Sequence, residues 1–262
     1  GEVTLEILDV QGNVVRRFTS DSAKAHEARE ERLPAKKGMN RFAWDLRYPR
    51  VNVVERAVVW GFTGGPKVVP GRYRVRLTVG DTSVARDLVV RPDPRLDDVT
   101  ADDYRAQLEL ALAIRDTMNA LYDAVREIRS VREQAKAIAK RAKEAGHDDG
   151  DALDTLADSL GAALARIEER LLQPKSESNQ DPLNFPPQLD NQYAYLYGYV
   201  AGPDARPTAA AYERFADLNR EWSELRSRLD ELLRRRVAEF NTAVERAGLG
   251  GVIAKRAGVR GR

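Results

Sequence analysis

Apolar and polar residues alternate through the first part of the chain. Val3, Leu5, Ile7 and Val10 come first, Gln11-Gly12-Asn13 supplies a turn, and Val14, Val15 and Phe18 resume the pattern, which predicts a hairpin. Asn40 to Leu46 alternates again, with Phe42, Trp44 and Leu46 on one face. Pro70-Gly71 opens a further strand in which Tyr73, Val75, Leu77 and Val79 alternate with Arg72, Arg74, Arg76 and Thr78. Gly80-Asp81 is a turn, and Val84 through Val90 closes the series. Short alternating strands with turn residues between them predict an antiparallel β-sandwich with one solvated face. Ser20 to Arg32 is highly charged and reads as an exposed loop or a single helical turn. Val51 to Val69, which holds Trp60, Phe62 and Gly64-Gly65-Pro66, reads as an irregular excursion that packs on a neighbouring domain or binds a partner.

Beyond residue 100 the period changes to three and four. Leu108, Ala111, Ile114, Met118, Leu121, Val125, Ile128, Ala135, Ile138 and Ala142 mark one long amphipathic helix, with Thr100 and Asp103 at its start and Gly146 as its stop. Asp151 is expected to cap a second helix on the stripe Leu153, Leu156, Leu160, Ala163, Ile167 and Leu171. A third runs from about Thr208 through Phe215, Leu218, Trp222, Leu225, Leu229, Leu232, Phe240 and Val244, and Gly248 ends it. Between them a proline-rich connector, Asp181 to Pro187, leads into Gln188–Val200, long enough for a short helix. Three long helices and one short one predict an antiparallel bundle. The fold class is therefore α+β in two domains, residues 1–97 and 98–250, with a basic, flexible tail at 251–262.

Composition narrows the chemistry. The 262 residues include no cysteine and only two histidines, His26 and His147, so disulfides, thiolate chemistry and histidine-based zinc sites or triads have no material. No apolar run reaches the ~18 residues of a membrane span. The net charge of +2 hides an asymmetry. Residues 1–97 carry 18 basic and 13 acidic side chains, residues 98–247 carry 21 and 28, and residues 248–262 carry four basic and none acidic. The tail invites comparison with nucleic-acid or lipid contacts, but the body has no RNA-binding or helix-turn-helix signature, and nucleic acid is not expected as a partner. The acidic loop Gly146-His-Asp-Asp-Gly-Asp151 lacks the ligand spacing of a calcium loop and fits helix capping. No phosphate loop, nucleophile elbow or H-E-x-x-H occurs. Catalytic residues, cofactor and metal are all expected to be absent.

Four of the nine tyrosines fall within seven residues, at Tyr193, Tyr195, Tyr197 and Tyr199. On a helix, 193 and 197 share a face while 195 and 199 turn ~100–200° away, so one pair fills a core and the other meets a second surface or solvent. Packing on the β-domain and a protein or carbohydrate contact are both consistent with that placement. With Trp60 and Phe62, these tyrosines are the candidate interface residues. The near-heptad run from Phe215 to Leu232 also permits an oligomer without indicating one.

The opening Val3-Thr-Leu-Glu-Ile-Leu-Asp-Val-Gln-Gly-Asn-Val-Val-Arg-Arg-Phe18 resembles a bacterial FlgD-type immunoglobulin-like module. Gly38–Pro49, Val69–Leu77 and Val90–Arg95 follow in suitable order, and Gln180–Asn191 leads into an aromatic-rich helix and Pro207-Thr208. Together they resemble the C-terminal region of bacterial sortilin-like proteins with BNR-repeat β-propellers, often labelled glycosyl hydrolases. The resemblance covers residues 1–247. It implies an Ig-like sandwich followed by a bundle, forming a non-catalytic C-terminal accessory module of a longer exported protein. Any active site would then lie in an upstream propeller, which would itself be the docking partner in the same or another protein. The chain's start at Gly1, without Met or signal peptide, suits a fragment or processed product. The alternative the resemblance leaves open is a carbohydrate-binding module that takes polysaccharide on exposed aromatics.

Overall fold

The computed structural model describes residues 1–178, 180–250 and 252. Its order is β1 (Val3–Leu8), β2 (Val14–Thr19), α1 (Ser22–Ala28), β3 (Gly71–Val79), β4 (Thr82–Val90), α2 (Ala101–Glu144), α3 (Gly150–Leu171), a 3₁₀ turn (Asp181–Leu183), α4 (Leu189–Ala201) and α5 (Ala209–Leu232). A π turn (Leu233–Val237) then joins α5 to α6 (Ala238–Arg246). The fold is α+β. It divides into two compact units. The first comprises Gly1–Asn52, Thr63–Arg115 and Tyr197–Ala209; the second comprises Val53–Phe62, Asp116–Leu196 and Ala210–Arg262.

The first unit holds one four-stranded antiparallel sheet in the order β2-β1-β3-β4. Asp9 closes the β1–β2 hairpin by accepting the backbone N–H groups of Gln11 and Asn13, and Gly12 supplies the left-handed φ of +87°. On one face the cross-strand neighbours of Glu6 are Arg17 and Arg76, and both guanidiniums donate to its carboxylate. Burial raises the Glu6 pKa, but the two arginine hydrogen bonds outweigh it and hold the carboxyl below its ordinary range. The other face carries the core, with Ile7, Val15, Val68 and Tyr73 at its centre and Trp44, Tyr48, Val75, Leu88 and Val90 around them.

The expected strand across Asn40–Leu46 does not form. Leu46 takes a left-handed φ of +58°, which breaks extended backbone, and its side chain is exposed. The core is covered instead by an irregular double segment. Tyr48 N–H donates to Pro66 O, Val68 N–H to Leu46 O and Val51 N–H to Thr63 O, while Arg47 and Lys67 form an isolated bridge. Glycine is obligatory at Gly65, where a Cβ would stand 1.7 Å from Tyr48 O. Among the described residues this layer is not a second sheet.

Arg16 holds the layer down. Its side chain is only 10% exposed and pairs bidentately with Glu30 at 2.8 and 2.6 Å. Its Nη1 donates to the carbonyls of Arg47 and Tyr48 at 3.0 and 2.7 Å, and the guanidinium lies 5.2 Å from the Phe18 ring centre. Glu30 reaches it because the charged segment after β2 folds into α1, capped by Asp21 side-chain bonds to Ala23 and Lys24 N–H. The beginning of α2 is fastened by reciprocal Thr100 and Asp103 capping bonds and by Arg206 on Asp103 at 2.6 Å.

In the second unit the predicted helices form with small shifts of boundary. Gly146 turns the chain at φ +68° after α2. Asp151 is not the cap of α3. Asp149 occupies that position without a side-chain bond, and Asp151, inside the first turn, pairs with Lys143 at 2.9 Å. Contacts between the helices include Arg129 and Arg132 on the buried Glu168, Arg226 on Glu127, and Arg170 on Glu221. The apolar stripe of α5 departs from the expected one, because Leu232 is only partly buried and Leu233 is buried in its place. Leu225, Leu229, Leu233 and Val237 are buried at successive four-residue steps. Each step overruns the 3.6-residue turn by about 0.4, and the wide π turn absorbs the accumulated residue. Phe240 and Val244 of α6 are thereby kept in the core. Val252 is buried and hydrogen-bonds through both backbone groups to Asn241; the rest of the basic tail expected at 251–262 lies outside the described residues.

Two outcomes follow. Arg16→Met should destabilise the protein by about 3–5 kcal/mol in urea unfolding, since it strands Glu30 and two carbonyls, and Arg16→Lys should recover little of that. Deleting the exposed Arg235 should convert the π turn to α-helix and leave Phe240 and Val244 on the buried face, with a change in stability of no more than about 1 kcal/mol read from the Tm; a larger loss would show that the π turn does not absorb an extra residue.

Candidate functional site

Helix α4 has an unusual surface. Its only charged residue, Asp190, is buried, so the stripe left to solvent is Gln192, Tyr195 and Tyr199, where an ordinary surface helix carries charge. Tyr193 and Tyr197 are fully buried, whereas Tyr195 is 78% and Tyr199 55% exposed. The buried pair owe their position to partners for their hydroxyls as well as their rings. Tyr193 donates to Asn219 Oδ1 at 2.7 Å and sets its ring edge-on to Phe215, within the second unit. Tyr197, in the first unit, donates to Gly64 O at 2.8 Å.

The segment 53–62 belongs to the second unit and lies along α4. Trp60 N–H donates to Asn191 Oδ1 at 2.7 Å and Phe62 N–H to Ala194 O at 3.4 Å. Gly61 permits the approach, since a Cβ there would stand 2.7 Å from the Ala194 Cβ. Arg129 anchors the start of the segment by donating to Glu55 O at 2.6 Å. The Trp60 side chain is left 60% exposed and Phe62 half-buried. Asn191 and Tyr195 are one helical turn apart, so Trp60 is pinned by backbone beside the stripe that carries Tyr195. The second unit thus presents Trp60 and Tyr195 on a framework that does not need their rings for its own packing. Tyr199 is exposed on the first unit, and Tyr193, Tyr197 and Phe62 are committed wholly or partly to the interior.

Beneath this surface lies a polar group that the sequence pattern does not single out. Asp190 is 1% exposed, accepts from Asn191 N–H and Nδ2 at 2.7 and 3.1 Å, and from the buried Tyr122 hydroxyl at 3.2 Å. Burial outweighs these bonds and pushes the carboxyl up to about 6, and it pushes the Tyr122 phenol up as well. Its bond to Asn191, which in turn receives Trp60 N–H, makes it the support of the aromatic segment. The one signal of it in the sequence is a single Asp in an apolar, tyrosine-rich helix. Among the described residues no three His, Cys, Asp or Glu side chains gather as they would around a metal ion, and no helix is long and apolar enough to cross a membrane.

Comparison with known protein families, with curated proteins and with solved structures gives no match for this chain.

The native state holds the Asp190 proton more tightly than the unfolded chain does. Its contribution to stability is therefore greatest below about pH 4 and is lost as pH rises through about 6. Asp190→Asn should remove that dependence and raise stability near pH 8 by about 1–3 kcal/mol. Urea midpoints at pH 5 and pH 8 measure it; parallel shifts in wild type and variant would reject the assignment.

Proposed function

We propose that this chain is a non-catalytic docking module, an accessory part of an exported, sortilin-like β-propeller protein, and that Trp60 and Tyr195 form its contact surface. The observation that carries the reading is a pair of large exposed aromatics fixed by backbone and helix in the second unit. Tryptophan and tyrosine offer much contact area at little entropic cost, and tyrosine's hydroxyl keeps such a surface compatible with water before a partner arrives. The sheet and its covering layer are on this proposal an abbreviated Ig-like module. Tyr73 Oη donates to Val69 O four residues upstream at 2.7 Å, in the manner of the tyrosine corner of Ig-like domains. The helices of the second unit are the accompanying antiparallel bundle. The upstream propeller, in the same or another protein, is the proposed partner.

The same exposed tryptophan supports one competing reading, a carbohydrate platform, because sugar faces stack on indoles. Two measurements separate them. An antibody against this chain should detect, in an exported cell fraction, a native species far heavier than 29.3 kDa; a species of that mass alone would overturn the accessory role. Adding polysaccharide should leave tryptophan fluorescence unchanged, whereas a saturable change abolished by Trp60→Phe would favour the carbohydrate platform. Trp60→Ala with Tyr195→Ala should cost no more than about 0.5 kcal/mol each in stability, as exposed side chains do.

A further inference from the structure

A cavity of about 240 Å³ opens within the first unit. It is walled by the covering layer, the chain leaving β4, the first turns of α2 (Tyr104, Gln107) and Asp204, with apolar side chains between them. Its volume is several times the ~30 Å³ share of one water molecule and just below the ~300 Å³ at which pockets for larger organic ligands begin.

One wall group has no use for its chemistry in the protein alone. Tyr104 is 8% exposed, and among the described residues its hydroxyl is the buried side-chain polar atom without a hydrogen-bond partner. Native proteins almost always satisfy such atoms, so an orphan lining a cavity is a statement about the occupant. Asp204 and Asp93 lie close enough to act electrostatically on this hydroxyl without bonding to it. Each is engaged elsewhere, Asp204 by Lys67 at 2.6 Å and Asp93 by Arg95, yet each carboxylate retains acceptor capacity. Gln107 is spent on the carbonyls of Val200 and Pro203, which fixes the floor rather than a ligand.

The charge balance selects the occupant. Arg47, Lys67 and Arg91 face Asp45, Asp93 and Asp204, three cations against three anions. An anionic group near Tyr104 would meet two carboxylates, and a cationic one would meet the arginines and lysine. A neutral hydroxyl suits both sides, because it accepts from Tyr104 and donates to Asp204 or Asp93 in one chain of bonds. The geometry points to a binding site for a small neutral polyol, a single sugar ring or cyclitol, with Tyr104 as the donor that fixes its position and Asp204 and Asp93 as acceptors. The site shares no residue with the Trp60–Tyr195 surface, and the docking role can fail without affecting it.

The test is a ligand-observed NMR titration of the whole chain with glucose, mannose, galactose and myo-inositol, with glycine and inorganic phosphate as charged controls. At least one polyol should saturate in the millimolar range. Tyr104→Phe, which removes a hydroxyl that bonds nothing, should leave the Tm unchanged or higher and weaken binding about five- to tenfold. Should Tyr104→Phe perturb folding, Asp93→Asn is the second variant, with weakened polyol binding expected. Arg86→Ala, exposed on β4 and outside the cavity, should leave polyol affinity within about twofold. Three results overturn the assignment. The first is saturation by no polyol, which leaves Tyr104 to a bound water. The second is Tyr104-dependent binding of glycine or phosphate instead. The third is a polyol that binds both variants with the affinity of the wild type, which puts its site elsewhere.

Discussion

The first unit depends on the Arg16 guanidinium. A segment without regular secondary structure covers the core of the sheet, and such a segment arrives with carbonyls that no strand partner satisfies. Arg16 takes two of them, those of Arg47 and Tyr48, while its remaining nitrogens engage Glu30. One planar cation therefore joins β2, the charged stretch after α1 and the covering layer. Lysine could not do this, because a point charge on a flexible stem cannot hold a bidentate carboxylate and two carbonyls at once. Trp44 follows the same logic on a smaller scale, its indole N–H donating to Arg47 O while its ring packs toward Tyr73.

Local pattern makes much of this fold legible. The two hairpins announce themselves by alternation and turn chemistry, and α2 through its three- and four-residue spacing, because in each case the burial of a side chain follows from its neighbours in sequence. Asn40–Leu46 shows where that logic stops. Phe42 and Trp44 do face inward, so the alternation is real, but Leu46 at positive φ ends the extended run and turns its side chain outward. Nothing in a leucine announces a left-handed backbone. Asp151 is a milder case. Its preference for a helix start is genuine, yet the helix begins two residues earlier, with Asp149 at the cap position making no side-chain bond and Asp151 inside the first turn.

For the functional residues the division is sharper. The segregation of Tyr193 and Tyr197 from Tyr195 and Tyr199 follows from helical geometry alone and is legible in the spacing of the four residues. The exposure of Trp60 is not, since it rests on Asn191 capturing a backbone N–H from 131 positions away. Asp190 and Tyr104 escape the sequence for the same reason. A carboxyl becomes hard to ionise, and a phenol is left without a partner, only through what long-range packing removes from around them.

The π turn between α5 and α6 carries a consequence for descent. An extra residue in a helix ordinarily rotates everything beyond it, and the core side chains downstream lose their places. Here the extra residue is absorbed where Arg234, Arg235 and Arg236 all face solvent, and Phe240 and Val244 keep their buried face. Such a site is one at which the length of a lineage's sequence can change by one without a change of fold. Homologues should therefore divide into those with and those without the added residue, with the apolar positions on either side conserved in both.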